Sequence, residues 1–208
     1  MNCLFSMMLV LGTTNTGKQQ ELAALLEPFQ VECRSLKDFA SAVRVAETGN
    51  TFAANAALKA IQQAEALNHW VLAEDSGLVV EVLDGSPGVY SARFAGPEAS
   101  DDDNNALLIE QLCDVPSSRR TAYYACHAAL AAPDGTIKAT SEGFCFGRIA
   151  KSAHGKEGFG YDPYFVVPEY HQTFGELSPA VKGLISHRGR AIRAMIPMIV
   201  KNLKKHSV

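Results

Sequence analysis

The chain has 208 residues, 22 acidic against 19 basic, for a formal net charge of −3. Hydrophobic residues make up 47% and charged residues 20%, ordinary for a globular chain long enough to bury a core without disulfide staples. This balance excludes wholesale electrostatic binding to nucleic acid, and no apolar run approaches the ~20 residues needed to span a bilayer. Five cysteines (Cys3, Cys33, Cys113, Cys126, Cys145) are odd in number and form no CxxC pair, so they read as reduced small hydrophobes of a cytoplasmic protein.

Residues 1–6 read as a short tail without the basic start or small-residue cleavage site of a signal peptide, and residues 7–208 as one bilobed domain. The apolar run MMLVLG at 7–12 predicts a buried strand, and Thr16 with Gln19 predicts a capping box opening a helix that ends near Pro28. A weak strand signal lies near 31–34. Over 51–67 the spacing predicts a helix with Ala54, Ala57, Leu58, Ile61 and Ala64 inward. Phe52, Asn55 and Lys59 then share the opposite face, which serves a ligand or is simply solvated. Two strand-like runs, 70–75 and 78–83, flank Ser76-Gly77, and a turn-rich loop follows at 84–88. Residues 103–113 read as a helix with Leu107, Leu108 and Leu112 inward. Runs 120–132 and 136–149, joined by Pro133-Asp134-Gly135, read as a long hairpin. A loop at 158–162 precedes a short strand, and Ser186 caps a last helix in which Pro197 predicts a kink or a restart. Strands alternating with helices early and a hairpin late predict an α/β fold: a mixed sheet flanked by helices.

Four groups of residues suggest chemistry. In Gly12-Thr13-Thr14-Asn15-Thr16-Gly17-Lys18 a strand passes through a loop into a helix N-terminus, which suits an anion, and Lys18 adds a point charge. The spacing approaches a P-loop, but Gln19 stands where that motif needs a Mg²⁺-ligating hydroxyl. Glu74-Asp75, with Glu47 nearby in sequence, offers hard oxygens of the kind Mg²⁺ takes alongside substrate phosphates, or is a solvated acidic turn. In Gly158-Phe159-Gly160-Tyr161-Asp162 two glycines present a ring for stacking, or tuck it into the core. Lys182, with Ser186-His187-Arg188 at a helix start, supplies donors for an anionic or carbonyl-rich ligand, or is a solvated helix start. The other histidines lack metal-like spacing. Together these groups describe a site for a nucleoside triphosphate.

In order and content the motifs resemble those of the inosine/xanthosine triphosphate pyrophosphatase family. They are TTNTGK at 13–18, ETGxTFxxNAxxKA at 47–60, EDSGLxV at 74–80, PGxYSAR at 87–93, the segment Gly158 to Phe165, and SHRG at 186–189. The resemblance implies an elongated α/β fold with a long mixed sheet and a cleft between two lobes, a homodimer, and Mg²⁺-dependent hydrolysis of deaminated purine nucleoside triphosphates to monophosphate and pyrophosphate. It implies Asp75 as the catalytic carboxylate, with Glu47, Glu74 and Asp75 at the metal. Thr13, Thr14, Asn15, Thr16, Gly17, Lys18 and Lys59, with Ser76 close by, would contact the triphosphate, and Phe52 and Asn55 line the same helix face. Phe159 would stack on the base, with Gly160, Tyr161, Asp162, Lys182, His187 and Arg188 completing the nucleoside pocket. Two residues depart from the pattern: Glu74 where the family often has Asp, and Thr14 where it often has Gly. Rival readings are a septum-associated type of nucleotide pyrophosphatase, whose opening usually carries paired arginines, and a non-catalytic nucleotide-binding regulator.

Overall fold

The structure, a computed structural model, describes residues 7–205, so the expected tail at 1–6 lies outside the described residues. Seven strands form one mixed sheet in the order β2-β1-β3-β4-β5-β6-β7. They are β1 Met7–Leu11, β2 Val31–Ser35, β3 Val71–Val80, β4 Thr121–Ala131, β5 Ile137–Ile149, β6 Phe165–Val167 and β7 Gln172–Thr173. The helices are α1 Thr16–Leu26, α2 Phe52–Leu67, α3 Asp101–Gln111, α4 Pro179–Ile185 and α5 His187–Lys205. β1 pairs parallel with β2 and β3, whereas β6 pairs antiparallel with β5 and β7. By its internal contacts the chain divides into two compact units. The first holds Met1–Asp75, Cys126–Gly143 and Arg188–Val208; the second holds Ser76–Ala125 and Phe144–His187.

The first unit has three layers. Leu9, Leu11, Leu72, Ala128 and Leu130 leave the sheet on one face and pack against Leu22 and Leu26 of α1 and Ile192, Met195 and Ile199 of α5. Val10, Val71, Ala73, Ala129 and Ala131 leave by the other face and meet Ala56, Ala60 and Ala64 of α2. This is the two-residue alternation of a strand read on both sides. In the second unit Leu78, Val80, Tyr124, Cys145 and Phe165 pack with Leu108 of α3 and with Phe174 and Leu177.

Several local expectations change. Asn15, not Thr16, caps α1, accepting from the Lys18 backbone N–H at 2.9 Å. The buried stripe of α2 is Asn55, Ala56, Ala60, Gln63, Ala64 and Leu67, so the face carrying Asn55 is turned inward, and Ala54 is exposed. Three alanines one turn apart let that side come close to the sheet. The runs at 70–75 and 78–83 are not two strands around a break: β3 is continuous from Val71 to Val80, with Gly77 buried inside it. Pro197 lies within α5, which runs on through it. β7 and α4 had no reading in the sequence.

Candidate active site

The loop after β1 is shaped by its own side chains. Gly12 donates its backbone N–H to Leu72 O at 2.8 Å, and a Cβ added there would lie 2.8 Å from that of Ala73, so only glycine lets the loop start this close to β3. Thr14, Asn15 and Thr16 are exposed, and the first turn of α1 has no acidic residue to occupy its positive end. Gln19, the residue that departs from the P-loop pattern, spends its amide inside the protein, donating to Thr13 O at 2.7 Å and Ser35 Oγ at 3.2 Å. Lys18 reaches away from the loop to Glu74, Nζ to Oε1 3.0 Å.

Glu74 and Asp75 are neighbours on β3 and so leave the sheet by opposite faces. Asp75 shares the side of Ala73 and α2. It is 6% exposed, accepts from Lys59 Nζ at 2.9 Å and from Asn55 Nδ2 at 3.2 Å, and the same ammonium reaches Glu47 Oε1 at 3.1 Å. Burial pushes the Asp75 carboxyl above its ordinary value despite the opposing charges of Lys59 and Lys18. Burial works to lower Lys59, but Asp75, Glu74 and Glu47 outweigh it and keep the ammonium protonated. Phe52, one turn before Asn55, stacks on His127 with ring centroids 6.4 Å apart.

Glu74 shares the side of Leu72, α1 and α5, and is fully buried. Besides Lys18 it has Arg188 Nε at 3.4 Å and Cys126 Sγ, which donates to Oε2 at 3.5 Å. Burial raises the Glu74 carboxyl, but Arg188, Lys18 and Lys59 together hold it well below the ordinary glutamate range. Arg188 also pairs with Glu21 of α1, a residue the motif reading did not single out. Its signal was present: Glu21 lies three residues after Lys18, on the same side of the helix.

These pairings gather Glu47 and Asp75 around the Lys59 ammonium, with Asn55 on Asp75, and Lys18, Glu74 and Arg188 into a separate chain on the other face. Among the described residues, no three His, Cys, Asp or Glu side chains form a group that could hold a metal ion. The Lys59 ammonium between Glu47 and Asp75 nevertheless marks a place where a cation is stabilised by two hard oxygens. Mg²⁺ commonly takes one or two carboxylates and fills its other positions with water and substrate phosphate, so this pair fits the ion.

In the second unit the loop between Gly158 and Asp162 is closed by Asp162, 2% exposed, which accepts from the Phe159 N–H at 2.8 Å and pairs with the buried Lys182. Gly158 has φ of +79°, and a Cβ there would lie 1.9 Å from Asp162 Oδ2, so the turn requires glycine. Lys182 Nζ sits 4.8 Å from the half-buried Phe159 ring centroid, a cation–π contact. Gly160 is held on both sides, its N–H by Asp101 Oδ2 at 2.7 Å and its carbonyl by Asn105 Nδ2 at 2.9 Å. No local pattern at 101 or 105 announces this role. Tyr161 is buried, donating its hydroxyl to Ser91 O at 2.8 Å, and burial raises its phenol. His187 is buried and stacks on Tyr124 at 4.6 Å, while Ser76 is half-buried on β3.

Over residues 9–198 the chain matches the model of the Ham1 family. It belongs to the Ham1 family. Among curated relatives, the dITP/XTP pyrophosphatase of Rhodopirellula baltica is 49% identical over 207 residues, covering 100% of this chain and 99% of that protein. The dITP/XTP pyrophosphatase of Desulforamulus reducens is also 49% identical, covering 93% of this chain and 96% of the other. Among solved structures, the Ham1 protein of Staphylococcus aureus is 36% identical with a TM-score of 0.81, covering 94% of this chain and 99% of that one. The HAM1 protein of Coxiella burnetii is 35% identical with a TM-score of 0.83, covering 93% and 98%. This Ham1 chain therefore shares its mixed sheet and flanking helices with experimentally determined members. No helix among the described residues is long and apolar enough to cross a membrane.

Proposed function

We propose that this chain hydrolyses deaminated purine nucleoside triphosphates (dITP, ITP and XTP) to the nucleoside monophosphate and pyrophosphate, and so cleanses the nucleotide pool. The observation that carries the reading is Asp75, a carboxylate buried on a strand with Lys59 and Asn55 as its partners and Glu47 at the same ammonium. The names of the relatives, dITP/XTP pyrophosphatase, support the substrate class.

In this reading a water attacks the α-phosphorus, the bond from that phosphorus to the α–β bridging oxygen breaks, and pyrophosphate leaves. Asp75 orients the water and accepts its proton. Lys59 and Lys18 offset the substrate's negative charge, which otherwise repels the nucleophile, so the catalysis is chiefly positioning and electrostatics. Glu47 and Asp75 would hold Mg²⁺, which when bound neutralises phosphate charge and polarises the scissile phosphorus. The exposed Thr14, Asn15 and Thr16, flanked by the half-buried Thr13 and Gly17, would receive phosphate oxygens. Phe159 would stack on the purine, its loop fixed by Asp162 and Lys182.

Discrimination would rest on N–H donors aimed at the purine 6-oxygen, with His187 and Arg188 as candidates. Adenine presents an amino group there and leaves such a donor unmatched, a mismatch that can cost roughly 10⁴-fold or more. The chain would work as a homodimer in the cytoplasm.

The test is pyrophosphate release from dITP, XTP, ITP, GTP and ATP by purified protein, with Mg²⁺ and with a chelator. Pyrophosphate from the first three, slow turnover of ATP, and loss with chelator are expected. Release of orthophosphate, or equal rates on ATP and dITP, would overturn the reading.

A further inference from the structure

Glu74 differs from its neighbour in every contact. Its Oε1 faces Lys18 Nζ at 3.0 Å and Arg188 Nε at 3.4 Å, its Oε2 accepts from Cys126 Sγ at 3.5 Å, and the residue is fully buried. The Cys126 contact follows from topology. Cys126 precedes Ala128 and Leu130 by even steps on β4, and Leu72 precedes Glu74 in the same way on β3, so all leave the sheet by the face that α1 and α5 cover. A metal ion binding Glu74 would have to displace two cations and a thiol from a water-free position. On the opposite face, Glu47 and Asp75 need give up only one ammonium, and Glu47 keeps 29% of its side chain exposed.

From this geometry we infer that Glu74 is a positioning residue for Lys18, the cation that receives the triphosphate, rather than a ligand of the metal. The inference rests on the reading of Lys18 as a triphosphate contact. Glu74 fixes Lys18 from β3. Glu74 holds the Lys18 ammonium by an ion pair, and the three donors of that ammonium serve phosphate. Glu74 also gives the buried Arg188 a second carboxylate besides Glu21, so that α1 and α5 are tied to the strand that carries Asp75. Cys126 fills the far side of the carboxylate with a weak donor and no charge. This keeps water out without competing with Lys18.

The experiment compares the wild-type chain, Glu74→Gln, Glu74→Asp and Glu47→Gln. One arm measures binding of inorganic tripolyphosphate by calorimetry in the absence of divalent ions. The other measures binding of Mn²⁺ by electron paramagnetic resonance. Glu74→Gln is expected to weaken tripolyphosphate about tenfold, the size of one charge-assisted hydrogen bond, with Mn²⁺ affinity unchanged within about twofold. Glu47→Gln is expected to show the reverse. Should Glu74→Gln fail to fold, Glu74→Asp keeps the charge Arg188 needs and retracts the carboxylate by one methylene, and it should still weaken tripolyphosphate selectively. Loss of Mn²⁺ binding in either Glu74 variant to the extent seen in Glu47→Gln overturns the inference, as does unchanged tripolyphosphate binding. Neither arm requires turnover, so a wild-type chain inactive on dITP would count against the proposed activity and leave this comparison readable.

Discussion

Lys59 Nζ lies 2.9 Å from Asp75 Oδ1 and 3.1 Å from Glu47 Oε1, so one ammonium on α2 is shared by a strand carboxylate and a loop carboxylate. Burial raises the Asp75 carboxyl, and the charges of Lys59 and Lys18 oppose that rise. Asp75→Asn keeps the volume and the hydrogen bond from Asn55 but cannot accept a proton. It is expected to lower turnover of dITP by about 10²–10⁴-fold, the usual weight of a general base, while dITP still binds by calorimetry. Turnover within a few-fold of wild type would remove Asp75 from the chemistry.

Lys59→Met leaves Glu47 and Asp75 without their shared counter-charge. Divalent ion should then bind more readily in its place. The rise in Tm produced by saturating Mg²⁺ is expected to be larger for the variant than for the wild type, by about twofold or more, because binding to the folded state alone stabilises it. Turnover should fall in the same variant, since the proposed phosphate contact of Lys59 would be lost. Equal rises in Tm would mean that ammonium and metal do not compete.

Phe159 is half-buried, outside the packed cluster of the second unit, with Lys182 against its ring. Phe159→Ala is therefore expected to raise KM for dITP about tenfold, the order of one base-stacking contact. Its Tm should fall far less than for a core phenylalanine, whose loss costs about 3–5 kcal/mol. A large fall in Tm with KM unchanged would return this ring to a packing role.

Glu74 carries a pH signature. Burial alone would raise its carboxyl, yet Arg188, Lys18 and Lys59 hold it well below the usual range. A carboxyl lowered in the folded state contributes stability that is complete above its unfolded value, about 4.3, and is lost as pH falls below that toward the folded value. Thermal unfolding followed from neutral pH into this acid range should show the wild type losing more Tm than Glu74→Gln. Parallel curves for the two would show that the charge of Glu74 contributes nothing to folding.

Much of this could be read from the chain because it is local. The Gly12 to Lys18 loop, the 133–135 hairpin turn and the helix beginning after Thr51 each carry their signals within a few residues. The inward face of α2 was not legible, because alanines lie on both sides of that helix and an apolar stripe cannot be told from its opposite. The continuity of β3 was hidden by Gly77, which reads as a breaker yet is buried within the strand. The separation of Glu74 from Asp75 follows from strand alternation once the strand is known. The partners that give each its character do not. Glu21, Cys126, Asp101 and Asn105 reach their places only through the fold.

Gly12 carries a consequence for how this region tolerates change. Its missing side chain lets the loop rest directly against Ala73, one residue before Glu74, with no space between for even a methyl group. Loop and strand must therefore shift as one body. A substituent at either contact point would act as a wedge, prising the turn off its rail while leaving every charged group intact in the sequence.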